Sequence, residues 1–109
     1  MRTLRFIVEG LIIKKDPACD FNNLVPGTEG YLQAEFVFSS EWEGLTKVAA
    51  FSSATNKEYP PQLLKDGRTC TIPTEALTKY SFKVGVIGKK NNVRLATNTV
   101  SVKQTGGAI

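Results

Sequence analysis

The side chains able to do chemistry in this sequence are few. None of the 109 residues is histidine, which removes the commonest general base and metal ligand at neutral pH. A Ser–His–Asp or Cys–His nucleophile is therefore excluded. Cys19 and Cys70 stand 51 positions apart, whereas zinc ligands come as close pairs. Cys70 alternates with Ile72 and is expected as a small core residue; a Cys19–Cys70 bridge is the alternative. Glu41 and Glu43 flank Trp42, and two carboxylates beside an aromatic ring could do acid–base work on a sugar. A solvated corner is the expectation there. Gly85-Val86-Ile87-Gly88 is followed by no helix to present backbone N–H groups, so it is not a phosphate loop. The reading is a binding or structural protein, not an enzyme, with no catalytic residue, no metal and no cofactor.

Fourteen Lys and Arg against ten acids leave a net charge of +4. The bases are spread along the sequence, paired only at Lys14-Lys15 and Lys89-Lys90, and do not interleave with aromatics as single-strand binders do. A solvated surface is expected, with no nucleic acid as partner. No apolar run reaches the ~20 residues that cross a bilayer as a helix, so no membrane partner is expected. The opening MRTLRF has no apolar stretch of a signal peptide behind it.

The elements that would position these residues read as strands. Leu4, Phe6 and Val8 alternate with Arg5, Ile7 and Glu9, the period-two pattern of a half-buried strand. Gly10 interrupts, which predicts a bulge, a bend or a change of direction; Leu11-Ile12-Ile13 resumes. Residues 14–29 are turn-rich, and Pro26-Gly27 suits the centre of a type II turn. Phe21, Leu24 and Val25 are too apolar for a free linker, so this loop is expected to pack on the body. Tyr31–Phe51 then reads as strand, polar corner and strand, with the single tryptophan at the corner. Trp42 is expected as an anchor plugging one end of the core, its N–H on a backbone carbonyl. The alternative is an exposed sugar platform.

Pro60-Pro61 excludes a central strand there. Lys65-Asp66-Gly67 is a turn, Thr69–Ile72 a short strand, and 74–77 a single helical turn that Thr74 could cap. Phe82, Val84 and Val86 share a face of the next strand, and Lys89–Asn92 makes a hairpin tip. After it the inward set shifts from Val93 and Leu95 to Val100 and Val102. That shift requires an odd insertion near Ala96–Thr99, such as a bulge. The chain is thus expected to be all-β: an immunoglobulin-like β-sandwich of about seven or eight antiparallel strands over residues 1–103, with a flexible tail over 104–109.

Several segments taken together resemble a known family. They are Phe36-Val37-Phe38, Ser40-Glu41-Trp42-Glu43-Gly44-Leu45-Thr46-Lys47, Cys70-Thr71-Ile72-Pro73-Thr74-Glu75-Ala76-Leu77 and Phe82-Lys83-Val84-Gly85-Val86. In order and spacing this stretch, roughly Leu32–Val102, is similar to small β-sandwich domains of tailed-bacteriophage structural proteins. These include N-terminal domains of baseplate upper proteins and minor tail or virion-decoration proteins. The resemblance implies an attachment or decoration module located in the virion, in tail, baseplate or on the capsid. Its partners would be other phage structural proteins, within a homo-oligomer. Such family members continue into linkers, coiled coils or receptor-binding domains, so a sequence ending at Ile109 implies either a piece of a longer protein or a free-standing adaptor.

Two function classes follow as expectations. One is protein–protein attachment through sheet edges and apolar loop residues, with Phe21, Leu24, Val25 and Tyr59 as contact candidates. The other is a carbohydrate-binding module for a host glycan, with Trp42, Tyr31, Tyr59 and Tyr80 as platforms.

Overall fold

Alternation along Leu4, Phe6 and Val8 produces β1 (Arg2–Glu9), in which these three side chains are fully buried. The structure, a computed structural model, describes residues 1–105. Gly10 is where the chain reverses. Its φ of +58° is the geometry a two-residue hairpin turn demands of its first residue, and β2 (Ile12–Lys15) returns antiparallel on β1. Residues 16–31 then cross to the other side of β1, where β3 (Leu32–Phe38) pairs parallel to it, from Arg2↔Leu32 to Val8↔Phe38. This corrects the expectation of an all-antiparallel sandwich. A parallel pair needs a crossover of a dozen or more residues, and the turn-rich segment provides it.

That crossover is fastened. The Arg2 guanidinium donates to the carbonyls of Asp20 (2.8 Å), Asn22 (2.7 Å) and Asn23 (3.5 Å). Leu24 is buried beneath it, and the Phe21 ring stands edge-on to Phe6 at 5.4 Å.

The first sheet is completed by β6 (Thr69–Thr71), in the order β2-β1-β3-β6. The chain leaves it through a single 3-10 turn, Ser40–Trp42, and enters the second sheet at β4 (Thr46–Ser53). There β4 pairs with β5 (Gln62–Leu63) and β7 (Ser81–Lys90), and β7 also carries β8 (Val93–Ala96) and β9 (Val100–Lys103). The architecture is therefore the expected all-β sandwich, with nine strands among the described residues rather than seven or eight. The Pro60-Pro61 pair precedes β5, which is an edge strand as a proline-flanked segment should be.

Between the sheets lies an aromatic row. Phe6 stacks on Phe36 at 5.4 Å, Phe36 meets Phe38 at 6.1 Å, and Phe38 meets Trp42 at 5.2 Å. Phe51 and Phe82 face them from the second sheet. The parity shift has the predicted cause. Ala96 pairs with Ile87 and Val100 with Val84, so residues 97–99 oppose residues 85–86 and the extra residue is a bulge. Its centre, Asn98, joins the two sheets: the side-chain Oδ1 accepts from the Ile13 N–H at 2.8 Å, and its own N–H donates to the Leu11 carbonyl at 3.2 Å.

Two local expectations need correction. The turn at Thr74–Thr78 is 3-10, its N-cap position is Pro73, and no side chain caps it. Gln104 is fastened to the body and not part of a flexible tail. That side chain is buried, and its amide donates to the Leu77 and Lys79 carbonyls at 3.3 and 2.7 Å. Thr105 N–H donates to the Leu24 carbonyl at 2.7 Å; the rest of the expected tail, 106–109, lies outside the described residues.

Candidate functional site

The chain crosses between sheets at the Trp42 corner, and the packing there decides what the tryptophan can do. Trp42 is 0% exposed. Its Nε1–H donates to the Gly10 carbonyl at 2.8 Å, and the ring lies over Gly88 of β7. It therefore ties together the β1–β2 turn, the 3-10 corner and the second sheet, and it has no face to offer a sugar. The Ser39 hydroxyl holds the Glu41 carboxyl below the usual carboxylate range, the opposite of what a general acid requires. Both cysteines are free thiols. Burial pushes the Cys70 thiol up to about 12, so it is not a nucleophile at neutral pH. Among the described residues no three His, Cys, Asp or Glu gather as metal ligands would. No helix among them is long and apolar enough to cross a membrane.

The contact candidates separate. Leu24, at 2% exposure, is a core residue, and Phe21 is half-buried against Phe6. The fastened crossover withdraws Leu24 from the surface, which corrects its reading as a contact, while Phe21 keeps a partly exposed edge. Val25 remains exposed, as do Tyr31 and Tyr80. Tyr59 is half-buried and lines two neighbouring clefts. The larger, of about 660 Å³, lies between the loop after β4 and the 3-10 turn and presents Glu58, Thr74, Glu75 and Lys79 beside Tyr59. The smaller, of about 410 Å³, opens toward the outer side of the second sheet near Ala50 and Pro61. The structure thus brings Tyr59, but neither Tyr31 nor Tyr80, to these clefts.

The outer face of the second sheet was not singled out from sequence. Register places Leu63, Val48, Ile87 and Ala96 side by side across four strands. Directly opposed residues project to the same face, and Ala49, Phe51 and Val86 fill the other, buried face. The four make an apolar ladder on the outer side, exposed at its ends, Leu63 (65%) and Ala96, with Val48 and Ile87 half-buried between them. One step along the strands lies the Lys89–Arg94 pair; two steps the other way lies Lys83, opposite Ser101.

Charge is divided between the sheets. The described strands of the second sheet carry Lys47, Lys83, Lys89, Lys90, Arg94 and Lys103 and no acidic residue. The ion pairs among the described residues all involve the first-sheet side: Arg5 with Asp16 and Glu35, Arg68 with Glu35, and Lys14 with Glu9. The Arg5 guanidinium, bonded to Glu35 across the parallel register, holds that carboxyl below its usual range. Bases scattered in sequence are thus gathered by the topology. The signal was readable as strand segments lacking Asp and Glu, but only once it was known which strands share a sheet.

No protein family and no curated protein matches the sequence.

Proposed function

We propose that this chain is a non-enzymatic attachment module that binds other proteins through its sandwich surface. The observation that carries the reading is the solvent-facing ladder of Leu63, Val48, Ile87 and Ala96. An apolar stripe rimmed by charged residues is the usual composition of a protein contact. The setting is a tailed-phage virion, in tail, baseplate or capsid decoration, with other structural proteins of the particle as partners. Support for that setting is the similarity of Leu32–Val102 to phage structural domains. The deeply anchored Trp42 corner suits a scaffold that must hold its faces rigid.

Mass spectrometry of purified particles, with cross-linking through Lys83 and Lys89, tests the proposal. Stoichiometric chain with cross-links to a second structural protein is expected; absence from the particles refutes the virion setting. A second reading, glycan binding, is favoured by one observation. Tyr59 lines two clefts, with the Glu58 and Glu75 carboxylates beside it in the larger, and an aromatic wall with a few placed polar groups is the composition of a small-ligand site. A glycan array with the wild-type chain and Tyr59→Ala distinguishes it: hits lost in the variant support it, and no hits end it.

A further inference from the structure

We infer that the outer face of the second sheet docks a short acidic segment of another protein, one with apolar side chains between its carboxylates. The inference rests on the attachment reading above and names the face and the chemistry of its partner.

Three observations select that occupant. The first is charge. Lys89 and Arg94 lie on one side of the apolar ladder, with no acid on any strand of this sheet; Lys83 and Lys103 lie on the other, where the Lys83 Nζ donates to the Asn56 Oδ1 at 2.9 Å and Glu58, bridged to Ser52, borders the edge. Among the described residues none of the four takes part in an ion pair. Opposite charge on the partner is therefore favoured, and a second copy presenting the same face would meet like charge. The second observation is the ladder itself. Leu63, Val48, Ile87 and Ala96 gain nothing from a phosphate or sulfate chain, which stays hydrated; burying them calls for apolar side chains. The third is area. Four strands about 4.8 Å apart, and the run from Lys83 to Lys89 at about 3.4 Å per residue, outline a patch of roughly 20 by 20 Å. That is about half of the ~800 Å² per partner of a standard interface between globular surfaces, and it fits a segment better than a second folded domain.

The test is selection of a displayed library of random 12-residue peptides on the immobilised full chain. Enrichment of peptides with Asp or Glu flanking Leu, Ile or Phe is expected, with their amide shift changes in NMR titration centred on Val48, Leu63 and Ala96. Lys89→Glu with Arg94→Glu should weaken the selected peptides about tenfold or more. Leu63→Ser, at a position too exposed to threaten folding, should weaken them severalfold. Peptides with no charge bias, or shifts centred on the Tyr59 clefts, overturn the inference. So does a heparin decasaccharide that binds the same residues and is indifferent to Leu63→Ser, which would make the face a polyanion site. Dimerisation in light scattering that Leu63→Ser disperses overturns it in favour of a second copy. Virion membership is read separately, by the particle analysis above: a chain absent from particles leaves this face's chemistry standing, and a failed selection leaves virion membership standing.

Discussion

Gly88→Ala is the substitution that most directly probes the Trp42 corner. A Cβ at position 88 would lie 2.8 Å from Cζ3 and 2.9 Å from Cε3 of the Trp42 ring, where carbon atoms settle at about 3.5–4.0 Å. The ring would have to retreat by several tenths of an ångström. It is held in place by the 2.8 Å bond to the Gly10 carbonyl and by Phe38 at 5.2 Å. Overpacking of this kind costs about 1–3 kcal/mol. Restricting the unfolded chain by replacing glycine offsets about 0.4–1 kcal/mol. The net loss is about 1–2 kcal/mol, a fall in Tm of roughly 4–16 °C for a domain of this size. Urea denaturation followed by far-UV circular dichroism measures it, since the second half of the experiment removes the only tryptophan. Trp42→Phe leaves the Gly10 carbonyl without its donor and should itself cost about 1–3 kcal/mol. It also withdraws the ring from Gly88, so in that background Gly88→Ala should be nearly neutral or stabilising. If the two changes add to within about 0.5 kcal/mol, the tryptophan does not bear on Gly88 and the account of the corner is wrong.

Three further outcomes are expected. Gln104→Ala leaves the Leu77 and Lys79 carbonyls without their donor and should cost about 1–3 kcal/mol; a variant as stable as the wild type in urea would return Gln104 to the tail. Glu35 has a folded-state pKa lowered first by its hydrogen bond from Arg5, so its stabilising contribution is present above the ordinary glutamate pKa and is lost as pH falls through the depressed one. Glu35→Gln should flatten the acid limb of stability against pH, and an unchanged limb would refute the pairing. With Ellman's reagent at pH 8, the half-buried Cys19 should react first, and the buried Cys70, its thiol raised to about 12, only as the chain unfolds. Two thiols reacting together in native protein would contradict the burial.

Much of the core was legible in the sequence because a strand with one buried face alternates. Leu4-Phe6-Val8 and Phe82-Val84-Val86 declare their inward sets directly. The parity change between Leu95 and Val100 requires an odd insertion between them, and the bulge at residues 97–99 supplies it. What alternation does not encode is direction. Nothing in Arg2–Glu9 or Leu32–Phe38 distinguishes a parallel from an antiparallel partner, and the parallel pair went unread. Polar residues that bury by satisfying backbone groups are equally silent, which is why Gln104 reads as tail in the sequence. The apolar loop residues were correctly expected to pack on the body, and packing is what removes Leu24 from the surface. The basic, ladder-bearing face depends on which strands become neighbours, a non-local fact, and so became visible only with the sheet order.

Asn98 has a bearing on how the chain folds. Its side chain meets the Ile13 amide across 85 positions of sequence, and the parallel pairing of β1 with β3 also waits for a long excursion to return. Contacts of such separation repay the entropy of loop closure only late. The β7–β8 hairpin, with its two-residue turn at Asn91-Asn92, can form early and locally. The seam between β2 and the bulge, whose contacts have the greatest sequence separation, is then expected to close after the hairpins it joins.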